Sequence, residues 1–292
     1  MPIYPYFDAH CDTLYRCEKE GWDLWSSPAH LDLRRLSAYE PMGQVFALWT
    51  DSGGKTAEEC FAIVTAQEKI YHEAKAAYPE LMKNCHLSLE GAELIDCDEG
   101  RLSLLKEWGV RWVNLTWNHE NALGCPHTMD RGLTVAGRAF AKKADELGMC
   151  IDISHLAERG FWDLTEIIDG PIVASHCNSR ALRDHSRNIS DAVAKEIIAR
   201  KGLIGLNFYH GFLGDDPDAD TVVTHVEHFL ELGGEDCLCL GGDFDGTQWL
   251  LKDIAAVENV PLLWEAMYRR NYSSELVEKI AWGNLAAFLG ST

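Results

Sequence analysis

The sequence predicts an α/β protein built as a (β/α)₈ TIM barrel. Eight short β-like runs occur along the chain, and amphipathic helix-like segments lie between them. Alternating strands and helices imply parallel strands joined by right-handed crossovers. Eight such units favour closure into a barrel over an open sheet, and 292 residues are enough to bury its core.

The individual elements follow from local patterns. The β-like runs are short and largely apolar and span residues 3–10, 44–49, 86–91, 112–117, 150–155, 172–176, 203–209 and 238–246. The helix-like segments have apolar residues at helical spacing and include 57–78, 134–148, 158–169 and 190–202. Ser190 occupies an expected N-cap, and Gly148 and Gly202 occupy expected C-caps. Residues 273–290 predict a last helix that covers the barrel.

Composition restricts the partners. The 46 acidic residues outnumber the 26 basic ones, and the net charge of −20 argues against a nucleic-acid partner. No signal-like start and no long uncharged apolar run occur, so we expect a cytoplasmic protein without a membrane partner. The 10 scattered cysteines predict reduced thiols. No linker or repeat divides the chain, so residues 1–292 are expected to form a single catalytic domain.

Polar side chains suited to metal binding or proton transfer lie at the C-terminal ends of the predicted strands, where catalytic groups of a barrel converge. They are His10, Asp12, Glu90, His155, His176 and Asp243. Taken alone, each is also explained as a hydrogen-bonded strand end, a turn residue or a satisfied core residue. His10 and Asp12 are two positions apart, so an extended strand directs both to the same side and Cys11 away.

The combination indicates a metal centre more strongly than any member does. The set offers two imidazoles, a third imidazole beside a carboxylate, and a further carboxylate able to bridge. Such a set suits two cations about 3.5–4 Å apart that share a water or hydroxide. Zinc is the first choice. The run 241–246 lacks the helix needed to cradle a phosphate, so its glycines predict close backbone approach, and Asp243 is a candidate base. The HExxH and GxSxG patterns are absent.

Basic residues follow the sixth predicted strand. Arg180, Arg183 and Arg187 are all candidates for binding a substrate carboxylate near the barrel mouth. The residue pattern does not choose among them, because most loop arginines are solvated or ion-paired.

Motifs along almost the whole chain resemble the renal (membrane) dipeptidase family, zinc dipeptidases of the metal-dependent hydrolase superfamily. They include DAHCDT (8–13), LEGAELI (89–95), LKEWGVRWVNLTWN (105–118), LGMCIDISHL (147–156), ASHCNSRAL (174–182) and GGDFDG (241–246). The resemblance implies a dipeptidase with two Zn²⁺ ions that acts on short peptides with free amino and carboxyl ends. By motif, His10 and Asp12 hold one zinc, His155 and His176 hold the other, and Glu90 bridges both.

The resemblance also assigns roles in catalysis and substrate binding. A metal-bridging hydroxide is expected to attack the peptide carbonyl, with Asp243 as acid and base and Arg187 as the carboxylate anchor. In many family members the residue directly after Leu-Thr on the fourth strand is a histidine that contacts the scissile carbonyl of the substrate, and this chain has Trp117 there. His119, of the same strand parity, is the candidate replacement. Trp117 and Tyr209, which end the fourth and seventh runs, are also expected to contact substrate.

Two other functions remain open. The same barrel and metals suit a metal-dependent amidohydrolase that acts on a cyclic amide, a lactone or another small amide. A non-catalytic metal-binding protein is the alternative from another class, and its signature would be loss of a ligand or of Asp243. Neither is lost in this sequence. The resemblance also allows a homodimer.

Overall fold

A computed structural model describes residues 5–290. Eight parallel strands in sequence order close into a barrel, through pairing of Asp8 with Leu240, which confirms the predicted fold. The strands are β1 (Tyr6–Cys11), β2 (Met42–Leu48), β3 (Cys85–Leu89), β4 (Val110–Asn114), β5 (Cys150–Asp152), β6 (Ile172–Ala174), β7 (Leu203–Leu206) and β8 (Leu238–Leu240). Each predicted β-like run overlaps one of these strands, and β1 to β4 extend one or two residues beyond the predicted bounds at one end.

Helices surround the barrel. They are α1 (Thr13–Glu20), α2 (Leu33–Leu36), α3 (Ala57–Ala77), α4 (Leu102–Trp108), α5 (Val135–Glu146), α6 (Glu158–Thr165), α7 (Asp191–Ala199), α8 (Ala219–Glu231), α9 (Pro261–Arg269), α10 (Ser274–Glu278) and α11 (Asn284–Leu289). Side chains satisfy the free backbone N–H groups at several N-termini. Thr56 and Glu59 form a capping box on α3, and Ser190 accepts a hydrogen bond from Val193 N on α7, as predicted.

The two predicted C-cap glycines behave differently. Gly148 has a φ of 76° just past α5, as expected for the left-handed turn that ends a helix. The prediction for Gly202 was wrong, because α7 ends at Ala199 and the left-handed φ of 55° belongs to Lys201. Glycine is needed at 202 for another reason: a Cβ there would overlap the carbonyl oxygen of Ile172 on β6.

The barrel interior is packed with side chains from the strands. Phe7, Val45 and Trp112 form part of this buried cluster, and Leu285 of α11 packs against it. The C-terminal segment therefore covers the barrel, as predicted, although a π-helical turn at Lys279–Gly283 separates α10 from α11. Polar side chains collect at the opposite end, where the strands reach their C-termini.

The predicted state of the cysteines agrees with the structure, since all 10 are free thiols. Cys237 and Cys239 are both buried and contribute to packing. Within residues 5–290, every helix is too short or too polar to cross a lipid bilayer.

Candidate metal centre

The six residues expected to form the centre converge at the C-terminal end of the barrel. His10 lies at their middle: its Nε2 is 3.3 Å from Asp12 Oδ2, 3.6 Å from Glu90 Oε2 and 3.8 Å from Asp243 Oδ1. His10, Asp12 and Glu90 are almost completely buried. Side chains from β1, β3 and β8, which are distant in sequence, therefore surround one point.

The second half of the centre faces the other oxygen of Glu90. Glu90 Oε1 is 2.9 Å from His155 Nε2 and 3.4 Å from His176 Nε2. The two imidazole Nε2 atoms are 3.0 Å apart. Glu90 thus directs one oxygen to His10 and the other to the histidine pair, which is the position required of a bridging ligand.

The donor set fits two cations. Two groups of side chains have ligand atoms within 4.8 Å of one another: His10 with Glu90 and His176, and His10 with Asp12 and Asp243. Asp12 Oδ1 and His10 Nδ1 are buried without a hydrogen-bond partner, which is costly unless another group satisfies them. Buried carboxylates packed this closely also require positive charge. The residues present therefore suit a pair of borderline divalent ions.

The electrostatics agree with this fit. Burial lowers the pKa of His155 and His176 well below the usual range, with added repulsion from cationic neighbours, so both rings are neutral and available as ligands. Burial also acts to lower the pKa of His10, but Glu90 and Asp12 outweigh it and raise that pKa to about 10. The carboxylates thus create a strong demand for positive charge at this point.

Residues outside the centre fix the orientation of its histidines. His155 Nδ1 is 2.8 Å from Asn118 Oδ1, and His176 Nδ1 is 2.7 Å from Ser175 Oγ. The hydroxyl of Ser175 also hydrogen-bonds to Asp152. Both rings are therefore held through Nδ1 with Nε2 directed to the centre, as metal-binding histidines usually are.

Two buried aspartates support the site without lining it. Asp8 accepts hydrogen bonds from the backbone N–H groups of His10 (2.8 Å) and Gly242 (2.9 Å), which ties β1 to the turn after β8. Asp152 accepts from Ser175 N (3.0 Å) and so ties β5 to β6. Neither residue was predicted from the sequence as part of the site, although a carboxylate inside an apolar strand indicates a buried hydrogen-bond partner.

The backbone conformation at and near the site residues contributes to the geometry of the centre. His155 has a φ of 73° and Asp243 a φ of 60°, in the left-handed region that non-glycine residues adopt infrequently. A Cβ on Gly246 would overlap Asp243 Oδ1 and Asp12 Oδ2. The glycines of 241–246 therefore allow close approach, as predicted, and at Gly246 the group approached is the centre itself.

An open cavity of about 260 Å³ leads to the centre. Arg187 lines it and is buried, with its guanidinium carbon 5.0 Å from the ring centroid of Phe212. Its Nε and Nη2 atoms have no hydrogen-bond partner, and within residues 5–290 no carboxylate lies within 4 Å of the guanidinium. A buried guanidinium without a carboxylate partner is suited to binding an anion that is not part of the chain.

The other two arginines are placed differently. Arg180 Nη1 donates to Glu158 Oε2 at 2.6 Å, and Arg183 is largely exposed, 4.0 Å from Asp215. Neither lines the cavity that leads to the centre. Of the three arginines that the residue pattern left open, only Arg187 therefore lies at this cavity.

The remaining predicted substrate contacts separate into two groups. Trp117 and Tyr209 line the cavity, as expected. His119 is exposed and is not among the residues that line the cavity; its ring forms an edge-to-face pair with Trp117 at a centroid distance of 5.7 Å. Its neighbour Asn118 lines the cavity instead.

The cavity lining also includes aromatic residues that were not predicted from the sequence. Trp49 packs against Trp117 with ring centroids 5.0 Å apart and the rings tilted by 58°, and Trp249 is 66% exposed and also lines the cavity. Trp49 ends the second β-like run, so its place at a strand terminus was a usable signal. Trp249 lies on an irregular loop and gave none.

Comparison with known proteins agrees with this geometry. The membrane dipeptidase family, peptidase family M19, matches residues 1–291. An uncharacterized protein of Klebsiella pneumoniae is 33% identical over 210 residues, covering 67% of this chain and 77% of that protein. Dipeptidase tcpJ of Claviceps purpurea is 30% identical over 210 residues, covering 70% and 49% respectively.

Solved structures similar to this chain include members of the same family. A metallopeptidase from Rhodobacter sphaeroides, crystallised with a phosphinate mimic of the dipeptide L-Ala-D-Ala, is 26% identical with a TM-score of 0.89, and the match covers 100% of both chains. A dipeptidase of family M19 is also 26% identical, with a TM-score of 0.88 over 99% of this chain and 98% of that one. The chain therefore belongs to the membrane dipeptidase family, the M19 family of metallo-dipeptidases.

Proposed function

We propose that this enzyme is a binuclear zinc dipeptidase that hydrolyses short peptides with free amino and carboxyl ends. The observation that carries the proposal is the unpaired, buried guanidinium of Arg187 in the same cavity as Glu90 and Asp243. A free C-terminal carboxylate fits this guanidinium by a bidentate, charge-assisted contact. The small cavity suits a dipeptide better than a long chain.

The arrangement of the donor side chains supports a division of ligands between two metals. His10 and Asp12 are the proposed ligands of one zinc and His155 and His176 of the other, with Glu90 shared between them. When bound, the pair supplies Lewis acidity and a nucleophilic water at neutral pH.

Asp243 is the proposed proton carrier. Burial raises its pKa to about 6, with Asp12 adding to the rise and His10 opposing it. A carboxylate whose pKa lies near neutral pH is able to take a proton from the attacking water and return it to the leaving amine. Asn207 Nδ2 donates to Asp243 Oδ2 at 3.1 Å, which fixes the carboxylate and leaves Oδ1 toward the centre.

The comparisons support the substrate class. The similar Rhodobacter sphaeroides enzyme was solved with a mimic of L-Ala-D-Ala, in which a phosphinate stands in for the tetrahedral carbon formed from the peptide carbonyl. The similar Claviceps purpurea protein is named a dipeptidase. We extend this substrate class to the present chain, with Trp117 and Tyr209 as contacts for substrate side chains.

The test combines metal analysis with substrate panels. We expect two zinc ions per chain and hydrolysis of free dipeptides, including some with a C-terminal D-residue. Their amidated and N-acetylated forms should react much more slowly, because each lacks one recognised end. Preference for a lactone or a cyclic amide would instead place the enzyme among the amidohydrolases with other substrates, and a metal-loaded but inactive protein would indicate a binding function.

A further inference from the structure

The side-chain amide of Asn118 lies between the candidate metal centre and the cavity that leads to it. Its Oδ1 is 2.8 Å from Nδ1 of His155. The residue is exposed and lines the cavity together with Glu90 and Asp243. One side chain therefore contacts a proposed zinc ligand and faces the space where the substrate must lie.

The orientation of the amide follows from the ring it contacts. His155 Nε2 is 2.9 Å from Glu90 Oε1 and must present its lone pair to a cation. The ring proton is then on Nδ1 and is donated to Asn118, so the carbonyl oxygen of the amide faces the ring. The NH₂ group remains, and within residues 5–290 we find no acceptor for it.

The loop that carries Asn118 is anchored on both sides. Glu93 Oε1 accepts from Trp117 N at 3.3 Å, and Glu93 Oε2 accepts from Asn121 Nδ2 at 2.8 Å. Asn121 Nδ2 also donates to Leu115 O at 2.8 Å. Hydrogen bonds on both sides of Asn118 along the chain therefore restrain the loop. A side-chain donor on a restrained loop loses little conformational entropy when it binds substrate.

We propose that Asn118 is a catalytic residue whose Nδ2 donates to the carbonyl oxygen of the scissile peptide bond, while its Oδ1 orients His155. The proposal rests on the proposed dipeptidase function. A fixed donor aimed at an oxygen that gains negative charge stabilises the transition state more than the substrate. His119, which the sequence suggested for this contact, lies outside the cavity.

Two substitutions separate the two sides of the amide. Asn118→Asp keeps an acceptor for His155 but removes the donor, and we expect kcat to fall about 10²- to 10³-fold while both metals stay bound. Asn118→Ala removes both the donor and the acceptor. Loss of the donor should lower kcat by the same factor at saturating zinc, and loss of the acceptor for His155 should weaken metal affinity roughly 10- to 100-fold. The alanine variant also controls for the negative charge of aspartate. Glu120→Gln, on the same loop, is the matched control and should leave both quantities unchanged.

Inhibitor binding gives a readout independent of turnover. A phosphinate mimic of the cleaved dipeptide should bind both Asn118 variants more weakly, by about the factor lost in kcat/KM. Wild-type kcat in Asn118→Asp, or in Asn118→Ala at saturating zinc, would show that Asn118 only positions His155. Loss of kcat in His119→Ala with normal Asn118 variants would transfer the role to His119. If the wild-type enzyme cleaves no dipeptide, the proposed function fails, whereas an active wild type with unaffected variants overturns this inference alone.

Discussion

The Nε2 atoms of His155 and His176 lie 3.0 Å apart, and both face the same oxygen of Glu90. Two imidazole nitrogens at this distance cannot both carry a proton, because their N–H groups would point at each other. Partners at Nδ1 fix both rings in this arrangement. Both Nε2 lone pairs therefore point to the same place, an arrangement that suits a cation bound by both rings.

The bridging position of Glu90 predicts that its substitution affects both metals. Glu90→Gln keeps the shape of the side chain but removes the charge shared by two sites, so affinity should fall for both ions together. His176→Ala should deplete mainly one ion. Zinc content after dialysis against graded chelator concentrations measures this, and two tightly held ions in Glu90→Gln would remove the bridging assignment.

Arg187 should control recognition of the substrate carboxylate. Arg187→Met keeps much of the side-chain volume but removes the charge, so kcat/KM for free dipeptides should fall by about 2–4 kcal/mol, or roughly 30- to 10³-fold, mainly through KM. Metal content should not change. Arg183→Met, in the same loop but outside the cavity, is the control.

The measurement for Arg187 is kcat/KM for one dipeptide and its C-terminal amide in each variant. Wild type should strongly prefer the acid, because the amide leaves the buried guanidinium unpaired. Arg187→Met should lose most of that preference and Arg183→Met should keep it. An unchanged preference in Arg187→Met would show that the carboxylate binds elsewhere.

Gly246 should be required for the geometry of the centre. A Cβ at this position overlaps carboxylate oxygens of Asp12 and Asp243, so Gly246→Ala should displace both and weaken metal binding by about 10- to 100-fold, with a matching loss of activity. In Gly283→Ala, by contrast, the added Cβ meets nothing nearer than 3.8 Å. Equal metal affinity in the two variants would contradict the packing argument.

His225 should make folding stability depend on pH. Its Nδ1 accepts a hydrogen bond from Ser179 N at 3.1 Å, and burial, with repulsion from His228, lowers its pKa to about 4. The unfolded chain has a histidine pKa of about 6.5 and so binds the extra proton first. The stability from a neutral His225 is therefore complete above about pH 6.5 and is lost as the pH falls toward 4, by up to about 1.4 kcal/mol per pH unit.

His225→Asn keeps an acceptor near Ser179 and removes the titrating ring. Urea unfolding between pH 4 and 7 gives the free energy of unfolding of both proteins. We expect the wild-type curve to fall more steeply with acid than that of the variant. Parallel curves would show that His225 does not titrate between the folded and unfolded states.

Local patterns were sufficient to predict the barrel and the convergence of the side chains of the candidate metal centre. Strand and helix periodicities reflect which faces are buried, and in a closed parallel barrel every strand delivers its C-terminal residue to the same end. His10, Glu90 and His176 could therefore be grouped although they are far apart in sequence. The helix end at Gly202 was predicted less well, because the close approach to Ile172 is a contact between distant segments.

Residues that depend on a neighbour from elsewhere in the chain needed the tertiary structure. Arg180 and Arg187 look alike in sequence, and only folding pairs Arg180 with Glu158 and leaves Arg187 buried without a partner. Asn118 and His119 are adjacent, yet the loop directs one into the cavity and leaves the other in solvent. The types of polar side chain that collect at the barrel mouth could be predicted from the sequence, because residue type and strand position are local properties. Which loop side chains face the cavity could be seen only in the folded protein, because that depends on contacts between distant segments.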